Sequence, residues 1–101
     1  MLYFNKPVRF EFDRKKSRLN WERHGIDFED AQALWAEFHI VLPAKSVPGE
    51  ERYALVARLD GDCWMAVFTM RGEVVRLITC HRADGRLERE YEDQNQKKDD
   101  S

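Results

Sequence analysis

Between Arg52 and Arg82, two short turns separate three strand-length stretches rich in apolar side chains. Asp60-Gly61 is a two-residue hairpin signal, because both residue types tolerate the positive φ such a turn needs. Arg71-Gly72 marks a second turn. Strands joined this closely run antiparallel, since a parallel partner needs a crossover of a dozen or more residues. The spacing predicts strands over residues 52–59, 63–70 and 74–81. A chain committed to this meander must still cover its apolar faces.

The flanking segments supply the cover. Residues 8–12 alternate apolar and polar and predict a short strand. Asp13 can cap a helix over residues 14–24, and Gly25 is a natural residue to end it. Asp27 caps a second helix, whose Phe28, Ala31, Leu34, Trp35 and Phe38 form one apolar stripe. A strand over residues 39–42 and a loop with Pro43, Pro48 and Gly49 lead into the meander. A last helix is expected over residues 85–93. The order is β-α-α-β-β-β-β-α: an α+β fold, with an antiparallel meander sheet and helices packed on one face. Residues 1–94 are expected to form the single domain, and the polar tail 95–101 to be disordered.

With 101 residues, 43% hydrophobic and 36% charged, the chain is too apolar for disorder and too charged for a membrane protein. No apolar run approaches the ~20 residues of a bilayer span. The first residues lack a signal-peptide pattern, so a cytoplasmic protein is expected. Cys63 and Cys80 lie in apolar strand patterns, where a reduced thiol acts as a small hydrophobe; a disulfide between them is the alternative. Neither belongs to a Cys/His cluster of metal-ligand spacing, so no structural metal and no cofactor are expected. The net charge of −2 does not advertise a nucleic-acid partner. Its distribution is uneven: Met1–His24 carries seven Lys and Arg against three Asp and Glu, and the following segment to Glu51 is acidic.

Parity sharpens the point. In the meander, Arg52 and Arg58 project on one side of their strand, and Arg76 and Arg82 on one side of theirs. If those sides coincide, the helix-free surface carries four arginines. The competing reading is that edge arginines snorkel over a half-covered sheet. On the first helix, Lys16, Asn20 and His24 are four residues apart and share a face. His24 ends that helix, where it can be catalytic, phosphate-binding or a C-cap. His39 reads as structural or exposed. His81 ends a strand beside Arg82, Glu51-Arg52 opens another, and Tyr91 can pack on the sheet or stack on a base.

These residue types suit cleavage of RNA without a metal. A base takes the proton of the 2′-hydroxyl, cations hold the charge that builds on phosphorus, and an acid protonates the leaving 5′-oxygen. Arginine forks match phosphate oxygens, and histidine titrates near neutrality. There is no Gly-rich phosphate loop, G-x-S-x-G, H-E-x-x-H or carboxylate cluster for two metals.

In order along the chain stand Phe10-Glu11-Phe12-Asp13, Lys16, Asn20, His24-Gly25, Phe28-Glu29-Asp30-Ala31, Glu51-Arg52, Arg76-Leu77-Ile78-Thr79-Cys80-His81-Arg82-Ala83, Glu88 and Tyr91. This series resembles the BrnT-type toxins, a branch of the RelE-like ribonuclease toxins of type II toxin–antitoxin systems. Here Phe12 stands for the family's Trp, His81 for the first of two arginines, and Glu88 lies one residue later than its counterpart. The resemblance implies a RelE-like fold, endoribonuclease activity that stops translation, and an RNA substrate such as mRNA on the ribosome. It also implies a ribbon-helix-helix antitoxin as partner, with promoter DNA bound only through that antitoxin. Matched by position, Arg52, Arg76 and Arg82 are phosphate and transition-state groups, and His24, His81 or Glu51 handles protons. Lys16, Arg58 and Tyr91 complete the expected RNA-binding set. The alternative is a non-catalytic member of the same fold, acting as a protein-interaction or RNA- and ribosome-binding module.

Overall fold

A computed structural model describes residues 7–99. The sheet has five strands in the order β1-β5-β4-β3-β2: β1 (Arg9–Glu11), β2 (His39–Pro43), β3 (Tyr53–Leu59), β4 (Asp62–Arg71) and β5 (Val74–Arg82). The strands β2 to β5 form the expected antiparallel meander. Asp60 (φ +53°) and Gly61 (φ +89°) make the first tight turn, as that dipeptide requires. The α+β class and the order of elements are those expected. The sheet is mixed rather than wholly antiparallel, because β1 adds to β5 in parallel. The helix between β1 and the meander makes that crossover possible.

Helix α1 (Arg14–His24) starts where Asp13 accepts from the backbone N–H groups of Lys15 and Lys16, at 2.8 and 3.0 Å. It ends at Gly25, whose φ of +78° suits a residue without Cβ. The expected second helix begins as α2 (Phe28–Ala31) and tightens into a 3₁₀ helix over Gln32–Ala36. Its deepest residues are Phe28, Ala31 and Leu34, each at most 1% exposed. They recur every three residues, and the tightening to three residues per turn keeps Leu34 in line with Ala31.

Pairing register defines the two faces. Tyr53, Leu55 and Ala57 share one face with Trp64, Ala66 and Phe68. Trp35 of the 3₁₀ helix packs edge-on against Phe10 and Phe68 there. Arg58 projects from the opposite face, and both Glu88 and Glu92 of α3 (Gly85–Asp99) bind it. The sequence reading put all helices on one face; α3 instead covers part of the reverse side. Two-sided cover explains why Leu55, Val56 and Ala57 are all fully buried. α3 also outruns its expected end at residue 93. Its last turns are rich in Gln and Lys, which are good helix formers, and Lys98 lies 4.7 Å from the centre of the Phe38 ring. Residues 95–99 are thus helical rather than disordered, and residues 100 and 101 lie outside the described residues.

Candidate nucleic-acid interface

The parallel strand β1 spans only the first residues of β5, so the later backbone of β5 has a free edge. α1 fills it with one side chain. Asn20 Oδ1 accepts from the N–H of Cys80 at 3.1 Å, and Nδ2 donates to the carbonyls of Cys80 and Ile26, both at 2.7 Å. Thr79 Oγ1 donates to the same Oδ1 at 3.3 Å. Asn20 is buried, so the polar stripe Lys16, Asn20, His24 splits by function. Its centre is a structural clamp, and its two ends stay exposed.

The clamp brings the helix end to the strand end. The rings of His24 and His81 lie 5.6 Å apart, centre to centre. His81 Nδ1 is 2.9 Å from the carbonyl oxygen of Arg82. A carbonyl only accepts, so Nδ1 carries the hydrogen, and Nε2 is the free acceptor when the ring is neutral. Next to this pair, a depression of about 290 Å³ opens between α1 and β5. Lys16, Leu19, Asn20, Arg23, His24, Ile78 and Thr79 line it, without a carboxylate. A larger hollow of about 510 Å³ by α2 is lined by Glu29, Asp30, Asp60 and Asp62, a charge pattern that repels phosphate.

The four arginines do not form one surface. Val67 pairs with Thr79 but Phe68 pairs with Leu77, which leaves Ile78 as an extra, bulged residue. One inserted residue inverts the alternation of a strand. Arg76 therefore faces with Thr69, and His81 with Met65, on the side that also bears Arg58. Arg52, just before Tyr53, continues the alternation onto this side. Arg82 turns to the other face. There its guanidinium sits 5.5 Å from the centre of the Trp64 ring and pairs with Asp62 at 3.1 Å.

Each of these arginines has a carboxylate partner. Arg52 pairs with Glu50 at 2.9 Å and Arg76 with Glu11 at 2.7 Å. Arg58 bridges Glu88 and Glu92, each at 2.7 Å, and these bonds hold its guanidinium above its ordinary pKa. Glu51 accepts from the Tyr53 hydroxyl at 3.0 Å, which raises the phenol's pKa. Tyr91 is 4% exposed and packs against Phe38, so it belongs to the core and offers no stacking face.

Arg76 and Arg52 lie at the far end of this sheet face from the histidine pair. His81 is five positions beyond Arg76 along the strand, about 15 Å at strand rise, too far for one phosphate to touch both. The structure thus brings His24 and His81 together, places Lys16 with His24 on the wall of the depression, and sets Arg52 and Arg76 apart from them. Sequence reasoning missed Arg23, Glu11 and Thr79. The charge of Arg23 and its place one turn from Leu19 were visible, but only the packing of α1 on β5 selects its side of the helix.

The family described as ribonuclease toxin, BrnT, of type II toxin-antitoxin system matches residues 12–86. The chain belongs to the BrnT family. The match covers most of the chain, including α1, all of β2 to β5 and the start of α3. No curated protein matches this BrnT-family toxin. Membership implies RNA as the substrate and an antitoxin as the partner. Among the described residues, no helix is long and apolar enough to cross a membrane.

Proposed function

We propose that this BrnT-family protein is a metal-independent endoribonuclease whose reaction centre is the His24–His81 pair. The observation that carries this reading is the approach of the two rings, of which His24 lines a depression together with Lys16 and Arg23. His81 Nε2 removes the proton of the ribose 2′-hydroxyl, which attacks the adjacent phosphorus. Protonated His24 gives its proton to the departing 5′-oxygen, and a 2′,3′-cyclic phosphate remains. Arg23, next to His24, holds the charge on the non-bridging oxygens, and Lys16 binds an adjoining phosphate. Arg76 and Arg52 bind the RNA further along the sheet. The cellular result is arrest of translation in the cytoplasm, relieved by an antitoxin of the ribbon-helix-helix type, through which alone the complex reaches promoter DNA.

A second reading is favoured by the ion pairs. Arg52, Arg58, Arg76 and Arg82 all spend charge on carboxylates, as a non-catalytic interaction module would allow. Induction of the chain alone separates the two, with growth and RNA integrity followed together. His81→Ala and His24→Ala are compared with wild type, and Arg82→Ala, on the other face, serves as control. Growth arrest and RNA cleavage in wild type and Arg82→Ala, lost in both folded histidine variants, support the ribonuclease centre. Cleavage that survives both histidine substitutions rejects it. Normal growth with intact RNA in wild type favours the interaction module.

A further inference from the structure

The depression between α1 and β5 has two parts. Leu19 of α1 is 42% exposed, and its neighbour across the depression is the bulged Ile78. Together they make a small apolar floor on an otherwise polar surface. Bulges commonly re-aim a side chain beside a functional site, and this one occurs where β5 meets α1. Around the floor stand Lys16, Arg23 and His24. Among the described residues, neither Lys16 nor Arg23 forms an ion pair, whereas Arg52, Arg58, Arg76 and Arg82 all do. Lys16 and Arg23 are thus free to meet an anion, and both border the apolar floor.

We infer that this depression is a subsite for one unpaired ribonucleotide, its base lying on Leu19 and Ile78 and its flanking phosphates held by Lys16 and Arg23. The inference rests on the ribonuclease reading and specifies its substrate as single-stranded RNA. A base has an apolar face and a charged backbone beside it, which is the pattern of this wall. At about 290 Å³ the space is at the small end of ligand-sized clefts, and it suits one nucleotide swung out of a stack. A paired base keeps its faces covered by its neighbours and gains nothing from the floor. Thr79 Oγ1 and Asn20 are already committed to each other, so this wall reads the shape of a base more than its hydrogen-bonding edge.

The test uses the full chain and short 2′-O-methyl RNA, single-stranded or as a duplex, which cannot undergo 2′-hydroxyl attack. Affinity is measured for wild type, Leu19→Ala and Arg23→Ala, both exposed positions whose loss leaves the core intact. Methyl resonances of Ile78 report contact directly. The expected result is preference for the single strand, shifted Ile78 methyls, and affinity about tenfold weaker in each variant. Arg23→Ala also lowers the salt slope of binding by about one. Cleavage of unmodified RNA by wild type is followed in parallel. If wild type cleaves RNA but neither variant weakens binding and Ile78 does not respond, the subsite is wrong while the ribonuclease reading stands. If wild type neither binds nor cleaves, both fall.

Discussion

Asn20 bonds both the N–H and the carbonyl of Cys80, sixty positions away in the chain. One carboxamide thereby does for β5 what a neighbouring strand does elsewhere. It also fixes the distance between α1 and the end of β5, on which the approach of His24 to His81 depends.

Asn20→Ala leaves buried backbone groups of Cys80 and Ile26 without partners. Each such group costs about 1–3 kcal/mol, and partial relaxation brings the expected loss to about 2–4 kcal/mol. Asn20→Asp keeps the acceptor but sets a carboxylate oxygen against the carbonyls of Cys80 and Ile26, and costs at least as much. Urea unfolding monitored by tryptophan fluorescence measures both. A variant as stable as wild type contradicts the clamp.

The histidine pair predicts that cleavage needs both rings. His81→Ala removes the proposed base and His24→Ala the proposed acid. Each lowers kcat by about 10²–10⁴-fold in cleavage of unmodified RNA. A folded variant of either kind that cleaves as fast as wild type assigns the proton transfers to other groups.

The bridge from Arg58 to Glu88 and Glu92 ties α3 to the sheet. All three side chains are more than a third exposed, so solvent screens the pairs. Arg58→Ala is expected to cost only about 0.5–1 kcal/mol globally. The local effect is larger: amide hydrogen exchange quickens across α3 while β3 to β5 keep their protection. Uniform change across the domain contradicts this division.

Both thiols are free and buried. Burial pushes Cys80 up to about 12 and, with a smaller contribution from Glu88, Cys63 up to about 11. Their ordinary value is 9.0. The folded protein therefore holds its thiol protons where the unfolded chain has lost them. Stability from this source is complete below pH 9.0 and declines as pH rises toward the folded values. Native protein resists iodoacetamide near neutral pH, and unfolded protein reacts at both cysteines. Rapid labelling of the native state contradicts the buried placement.

Local signals carry much of the architecture. Asp13 and Gly25 bracket α1 where a cap and a left-handed residue are needed. Asp60-Gly61 turns the chain between β3 and β4, and the tandem hairpins leave no choice but a meander. The order of motifs from Phe10 to Tyr91 was enough to indicate the family. Each of these is a property of a few adjacent residues, or of their spacing, and needs no knowledge of what packs where.

The site is different. Parity along β5 assigned Arg82 to the same surface as Arg76, and a single bulged residue, Ile78, reversed that assignment and put His81 there instead. The parallel placement of β1, the reverse-face packing of α3, the burial of Tyr91 and the pairing of every expected arginine with a carboxylate are likewise contacts between distant segments. Sequence determined the elements, because caps, turns and alternation act over a few residues. Tertiary structure decided which of their side chains meet, because register and packing are settled only when the strands and helices compete for the same core.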